Sequence, residues 1–177
     1  MLAAGADKQQ VWSGRKHGSS ALYGAACQNR LEAIKILVEV GDCNVNIQND
    51  QATALSIACE HGFAEVNKYL ISKGADVNLT NAGGKSPIFQ AATRGQLECI
   101  QPLAGAGAKV NQQDGKGTSP LLLATQLGNK SVIQLLLSLG ADANLADHLG
   151  ATPSSWPRTR ATLVHSTRCW PPAEAPP

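Results

Sequence analysis

The sequence predicts an all-α solenoid built from helix–turn–helix units that are joined by short β-hairpin fingers. Four glycines, each closing an apolar run, lie 33 residues apart at Gly41, Gly74, Gly107 and Gly140. A fixed period of about 20 to 50 residues is typical of stacked repeats, in which each unit contacts only its neighbours. Aromatic residues make up only 4% of the chain, which suits a core of small aliphatic side chains between short helices. Such a protein presents one long surface to a partner rather than a catalytic pocket.

The first helix of each unit is predicted from residue types that start and end helices. A Ser or Thr hydroxyl at the start can accept a free backbone N–H. These cap positions are Ser20, Thr53, Ser86, Ser119 and Thr152. Pro87, Pro120 and Pro153 follow the cap directly, at a position where the missing N–H has no cost. The helix then ends at a residue that tolerates left-handed backbone. These ends are Asn29, Gly62, Gly95 and Gly128.

The second helix of each unit is predicted from apolar pairs spaced i, i+1, i+4 and i+5, which form one broad helical face. The sets are Ala33/Ile34 with Leu37/Val38, Cys99/Ile100 with Leu103/Ala104, and Val132/Ile133 with Leu136/Leu137. Asn67 interrupts the set of the second unit, and Pro102 falls in the middle of the helix of the third. Because an interior proline costs a helix about 3 kcal/mol and kinks it, we expect the third unit to be the least stable. Gly-Ala-Asp at 74–76 and 140–142 then turns the chain into a finger.

Taken in phase, these features resemble the ankyrin repeat, with its G-x-T-P-L-H-x-A stretch, a following Gly and an apolar run ending in G-A-D-x-N. The resemblance covers residues 18–148 and implies four full repeats at 18–50, 51–82, 83–114 and 115–148. The usual His of the pattern is replaced in every copy, so any polar network that it would make is expected to be missing. The replacements are Tyr23, Ser56, Phe89 and Leu122.

The two ends of the chain depart from the repeat pattern. Residues 1–17 contain Gly-Ala-Asp and are interpreted as the remnant of a preceding repeat followed by an irregular linker. Residues 149–177 open a fifth repeat in phase and then abandon the pattern after Pro153 for a proline-rich tail, which we expect to be disordered. Two hypotheses account for this break: the chain is a truncated isoform of a longer array, or the tail is native.

Composition and spacing predict a non-enzymatic protein without metal or cofactor. The histidines and cysteines do not have metal-ligand spacing, and the glycine-rich runs at 105–107 and 115–118 do not fit a phosphate loop. The repeat body has 9 basic against 11 acidic residues, whereas a nucleic-acid binder would show a basic stripe. The five cysteines are scattered, which indicates a reducing compartment. We therefore expect a cytoplasmic or nuclear monomer that neither binds nucleic acid nor inserts into membranes.

The resemblance implies that a partner protein contacts the hairpin tips and the concave face of the first helices. Residues at these positions vary from copy to copy while the framework repeats, which favours binding; solvated surface is the alternative for any single residue. The candidate contacts are Gln28, Asn49, Asp50, Glu60, His61, Lys85, Thr93, Arg94, Lys116, Thr118 and Gln126. The predicted function is a protein–protein interaction scaffold. The alternatives are a substrate-targeting or regulatory subunit of a larger enzyme assembly, such as a ubiquitin-ligase or phosphatase adaptor, and a truncated product without independent function.

The resemblance also implies a modification site at the Asn of G-A-D-x-N. This Asn is expected to stabilise its turn through side-chain hydrogen bonds. In related ankyrin proteins it can be hydroxylated by an oxygen-dependent hydroxylase. The candidates here are Asn78 and Asn144, because each has a Leu eight residues upstream.

Overall fold

Eight α-helices follow one another in the computed structural model, which describes residues 21–49 and 52–155. They are α1 (Ala21–Cys27), α2 (Leu31–Glu39), α3 (Ala54–His61), α4 (Ala64–Ser72), α5 (Pro87–Arg94), α6 (Leu97–Gly105), α7 (Pro120–Gln126) and α8 (Lys130–Ser138). No β-strand is assigned within these residues, so the fingers between the helix pairs are built from turns. The interpretations of residues 1–17 and of the tail from residue 156 lie outside the described residues.

The helices pack in two rows, as expected for a solenoid. In the first-helix row, α1 contacts α3, α3 contacts α5, and α5 contacts α7. In the second-helix row, α2 contacts α4, α4 contacts α6, and α6 contacts α8. Each helix pair therefore stacks on the pair before it and the pair after it, and the apolar core runs the length of the stack.

The helix starts and ends follow the local signals of the sequence. Thr53 Oγ1 accepts the backbone N–H of Ser56 and Ser119 Oγ accepts that of Leu122, each at 3.1 Å. Ser86 makes no such side-chain cap. The four predicted left-handed residues have φ angles between 55° and 77°, as their role requires. They are Asn29, Gly62, Gly95 and Gly128.

Burial of the second helices depends on neighbouring repeats as well as on the apolar pattern. Ile100 and Leu103 are completely buried, as predicted. The prediction for Ala33 is wrong: this residue is exposed, although the equivalent Val66 and Cys99 are completely buried. The apolar pattern of α2 therefore does not by itself decide which of its residues are buried.

Asn67 does not interrupt the buried face of α4, contrary to the sequence interpretation. It is completely buried at the position that Ile34 and Ile100 occupy in the flanking repeats. Its Nδ2 donates a hydrogen bond to Cys59 Sγ at 2.9 Å, while its Oδ1 is buried without a partner. A polar side chain therefore occupies a buried position that is apolar in the flanking repeats.

Pro102 lies inside α6, which nevertheless continues from Leu97 to Gly105. The helix has nine residues, the same length as α2, α4 and α8. The proline does not end the helix, and the expected instability of this repeat stays a prediction.

Candidate functional site

The fingers are shaped by an Asn or Asp that recurs with the repeat period. We define finger 2 as residues 76–86, finger 3 as 109–119 and finger 4 as 142–152. The Oδ1 atom of the shaping residue accepts the backbone N–H groups two and four residues later, at 2.9 to 3.0 Å. The shaping residues are Asn81, Asp114 and Asp147. Sequence reasoning missed them, although their spacing of 33 was a usable signal.

Finger 1, residues 44–53, is described except at 50 and 51. Here Asn49 Oδ1 accepts the backbone N–H of Ala52 at 2.7 Å, so this candidate contact also shapes its own turn. Asp50, another candidate contact, lies outside the described residues.

Neighbouring finger tips are hydrogen-bonded to one another. The backbone N–H of Gly115 donates to Gly83 O at 2.9 Å, and that of His148 donates to Lys116 O at 3.3 Å. Fingers 2, 3 and 4 therefore form one ladder. These hydrogen bonds hold the backbones of successive finger tips next to one another.

A second ladder joins the bases of the fingers through the Asn of G-A-D-x-N. The Oδ1 of Asn78 accepts the backbone N–H of Lys109 at 2.8 Å, and its Nδ2 donates to Gly107 O at 3.3 Å. Asn46 and Asn111 make the same pair of bonds to the repeats that follow them. The expected role in the residue's own turn is therefore wrong, because these side chains bridge adjacent repeats instead.

The two candidates for hydroxylation differ in their surroundings. The side-chain amide of Asn78 is engaged at both ends by the next repeat. Asn144 is exposed, and its Oδ1 accepts a hydrogen bond from Ser154 Oγ at 3.2 Å. Hydroxylation stays a prediction, and the exposed Asn144 is the more accessible candidate.

Two candidate contacts on the first-helix row form an ion pair between repeats. Arg94 Nη2 of α5 lies 2.6 Å from Glu60 Oε1 of α3. The glutamate side chain is 24% exposed and the arginine side chain 57%, so the pair is open to solvent. His61, next to Glu60, is exposed and stacks on the ring of Phe63 with a centroid distance of 5.5 Å.

The remaining candidate contacts include side chains that already interact within the protein and side chains that are exposed to solvent. Thr93 Oγ1 donates to Phe89 O at 2.8 Å within its own helix. The Lys85 Nζ lies 5.6 Å from the centroid of the Phe89 ring. Gln28, Lys116 and Gln126 are exposed, and Thr118 is half-buried in finger 3.

Leu127, beside the candidate contact Gln126, is an exposed apolar residue. It is equivalent to Arg94 and His61 and is 56% exposed at the end of the first-helix row. The polar character of this row therefore changes to apolar at the fourth repeat.

Tyr23, which takes the place of the usual His, forms a polar cluster of its own. Its side chain is hydrogen-bonded to those of Cys27 and Asn49. Burial, and after it the neighbouring Cys27, raises the pKa of Tyr23 to about 12. Phe89 and Leu122, at equivalent positions, are buried apolar residues. The position of the usual His is therefore polar in the first repeat and apolar in the third and fourth.

The buried thiols are poorly suited to nucleophilic chemistry. Burial raises the pKa of Cys59 well above its ordinary value. Burial, followed by the charge of Glu98, raises the pKa of Cys99 to about 11. Because the thiolate is the reactive form, both side chains are inert at neutral pH.

The described residues contain neither a group of side chains that could bind a metal nor a helix that could span a membrane. Within 21–49 and 52–155, no three His, Cys, Asp or Glu side chains are grouped so that they could hold a metal ion. None of the helices in this part of the chain has the length and apolarity needed to span a bilayer.

The paired helices, left-handed helix ends and linked fingers define a helical-repeat solenoid with an extended surface. The sequence model of ankyrin repeats (three copies) matches residues 1–81 and 68–147. The chain belongs to the ankyrin repeat family, and these repeats indicate a protein-interaction domain.

Curated relatives share the repeats within different proteins. The chain is 42% identical over 72 residues to protein phosphatase 1 regulatory subunit 27 of Homo sapiens, covering 40% of this chain and 46% of that protein. It is 37% identical over 89 residues to alpha-latroinsectotoxin-Lt1a of Latrodectus tredecimguttatus, which covers 50% of this chain and 6% of that protein. It is 36% identical over 88 residues to NAD-dependent deacetylase sir2B of Dictyostelium discoideum, which covers 48% of this chain and 11% of that protein. The chain thus spans less than half the length of each.

Proposed function

We propose that this chain is a non-enzymatic scaffold that binds a partner protein on its finger tips and on the exposed ends of its first helices. The supporting observation is a difference between exposed positions, which vary, and structural positions, which repeat. Equivalent positions at the ends of α1, α3, α5 and α7 hold different exposed side chains, while the left-handed residues that follow them and the hydrogen-bonded ladders of the fingers repeat. A rigid surface with variable side chains suits partner recognition, because little ordering entropy is lost on binding.

The proposal is tested by affinity capture with a reversed ion pair. The double variant Glu60→Arg/Arg94→Glu keeps opposite charges facing each other but exchanges their positions. The matched control, Glu65→Lys/Lys68→Glu, reverses an exposed pair within α4 of the second-helix row. We expect a specific partner to be retained by the wild type and the control and lost by the first variant.

The same experiment separates the other outcomes. A partner that is lost only by the α4 control would place binding elsewhere and contradict the proposal. Recovery of chaperones alone from all three proteins would support a truncated product without independent function.

A regulatory subunit of a phosphatase is the second candidate. The similarity to protein phosphatase 1 regulatory subunit 27 favours it over other enzyme assemblies, although the match covers less than half of that protein. Recovery of a phosphatase catalytic subunit in the capture experiment would support this candidate. Its reproducible absence, with another partner present, would contradict it.

We further propose that the protein works as a monomer in a reducing compartment, either the cytoplasm or the nucleus. Among the described residues, Cys27, Cys59 and Cys99 are not joined in disulfide bonds, which supports this location. Sedimentation of the purified chain and microscopy of the tagged protein test the two statements. A dimer at micromolar concentration or a secretory location would contradict them.

A further inference from the structure

The charges of the second-helix row are largely paired within the chain. Lys35 Nζ lies 2.7 Å from Glu32, Lys68 Nζ lies 3.1 Å from Glu65, and Lys73 Nζ lies 3.0 Å from Glu39. All six side chains belong to α2, to α4 or to the residue after α4. These lysines therefore have their countercharges within this chain.

The finger tips carry two lysines that are not paired with a carboxylate in this way. Lys85 on finger 2 and Lys116 on finger 3 have no ion-pair partner among the described residues. Gly83 and Gly115, which are joined by a backbone hydrogen bond, lie two residues before Lys85 and one residue before Lys116, so the two lysines belong to directly linked neighbouring fingers. Asp114 is the acidic residue of the same turn, and its Oδ1 accepts two backbone N–H groups there.

The Lys85 ammonium and the backbone of Lys116 are each held in place by neighbouring groups. The Lys85 ammonium lies over the ring of Phe89, which is only 1% exposed and therefore fixed by the core. The backbone carbonyl of Lys116 accepts a hydrogen bond from the N–H of His148 on finger 4. A cation placed beforehand costs less entropy to use in binding than one on a mobile loop.

The surrounding charge limits which anion fits this site. Asp76 lies at the base of finger 2, and Asp142 and Asp147 belong to finger 4. A long polyanion such as nucleic acid would pass close to these carboxylates and be repelled. A short run of acidic side chains within a protein segment can meet the two lysines without reaching the flanking acids.

We propose that Lys85 and Lys116 form a dicationic anchor for an acidic, extended segment of the partner protein. This inference rests on the proposed scaffold function and names the chemistry of the partner. Exposed charge pairs act more on specificity and association rate than on affinity. The anchor therefore selects which segments dock on the fingers.

Selection from a displayed library of random 12-residue peptides tests the anchor. The wild type is compared with Lys85→Glu/Lys116→Glu and with the matched control Lys35→Glu/Lys68→Glu, which makes the same change of charge on the second-helix row. We expect the wild type and the control to enrich peptides with adjacent Asp or Glu residues. The finger variant should bind those peptides about tenfold more weakly or worse. Unchanged melting temperatures would show that all three proteins fold.

Several results would overturn the inference. One is enrichment without an acidic bias, another is equal weakening in the control, and a third is no enrichment at all. Binding of a 20-nucleotide single-stranded DNA that is lost in the finger variant would also overturn it, in favour of nucleic acid. The scaffold proposal is judged separately, by whether the capture experiment recovers a partner sensitive to the Glu60 and Arg94 exchange.

Discussion

Glycine meets two separate requirements in the turns of this protein. Gly84 has a φ of 74°, and a Cβ built on it would lie 2.8 Å from the backbone nitrogen of Gly115 on the next finger. Gly74 has a φ of 82°, but a Cβ there would meet no atom within 4 Å. The first glycine is therefore needed for its left-handed backbone and for close contact between fingers, and the second for its backbone alone.

Comparison of Gly84→Ala with Gly74→Ala separates these two requirements. Both variants should lose about 1–2 kcal/mol of unfolding free energy, because an L-residue is strained at positive φ. Gly84→Ala should lose about 0.5–1.5 kcal/mol more, since its Cβ forces apart the fingers joined by the Gly115–Gly83 hydrogen bond. Urea unfolding followed by circular dichroism measures the difference. Equal losses would show that the fingers separate without cost.

The buried amide of Asn67 should lower the stability of the second repeat. Because its Oδ1 is desolvated without a partner, Asn67→Ile should raise the unfolding free energy by about 1–3 kcal/mol. The weak bond to Cys59 Sγ, a poor acceptor, offsets little of this gain. The reciprocal change Ile100→Asn places the same amide in the third repeat and should lower stability. Urea unfolding tests both, and a loss of stability in Asn67→Ile would mean that the amide is satisfied in solution.

Among the elements, α6 contains an interior proline in an otherwise regular helix. Pro102 cannot donate a hydrogen bond to the carbonyl of Glu98, four residues earlier. The proline therefore removes one hydrogen bond from α6 without ending the helix. The equivalent residue of α8 is Leu135, which has its amide hydrogen.

Hydrogen exchange should therefore be faster in α6 than in α8. Pro102→Leu should slow exchange across 97–105 and raise stability by up to about 3 kcal/mol, because it restores an amide and removes a steric clash. The matched change Leu135→Pro should speed exchange across 130–138. Mass spectrometry of deuterium uptake measures both segments. Slower exchange in wild-type α6 than in α8 would contradict the prediction.

Features set by one residue's own backbone could be predicted from the sequence, whereas features set by neighbouring repeats could not. Gly62 and Gly95 were identified because a left-handed helix end is a local requirement. The bridging role of Asn78 was missed, since its partners lie 29 and 31 residues away. The exposure of Ala33 was not predicted, because the apolar pattern of a helix does not show which part of its apolar face is covered.

On the scale of the whole molecule, stability is carried by contacts between adjacent repeats. The helix contacts run between consecutive members of each row, so a change in one repeat reaches a distant one only through those between. Leu70, Leu103 and Leu136 are equivalent and completely buried, which makes them comparable probes of the second, third and fourth repeats.

Removing such a leucine should have effects that depend on its place in the stack. Leu136→Ala and Leu70→Ala each leave a cavity that costs about 2–5 kcal/mol. Outside their own pair, the main contacts of α7 and α8 are with α5 and α6, so Leu136→Ala should speed amide exchange in α7 and α8 while α1–α4 keep their wild-type rates. Leu70→Ala weakens contacts on both sides of the second repeat, so exchange should rise from α1 to α6. Deuterium uptake resolved by helix measures both patterns. An equal rise in every helix for both variants would mean that the stack unfolds as one unit, and local opening would then be excluded.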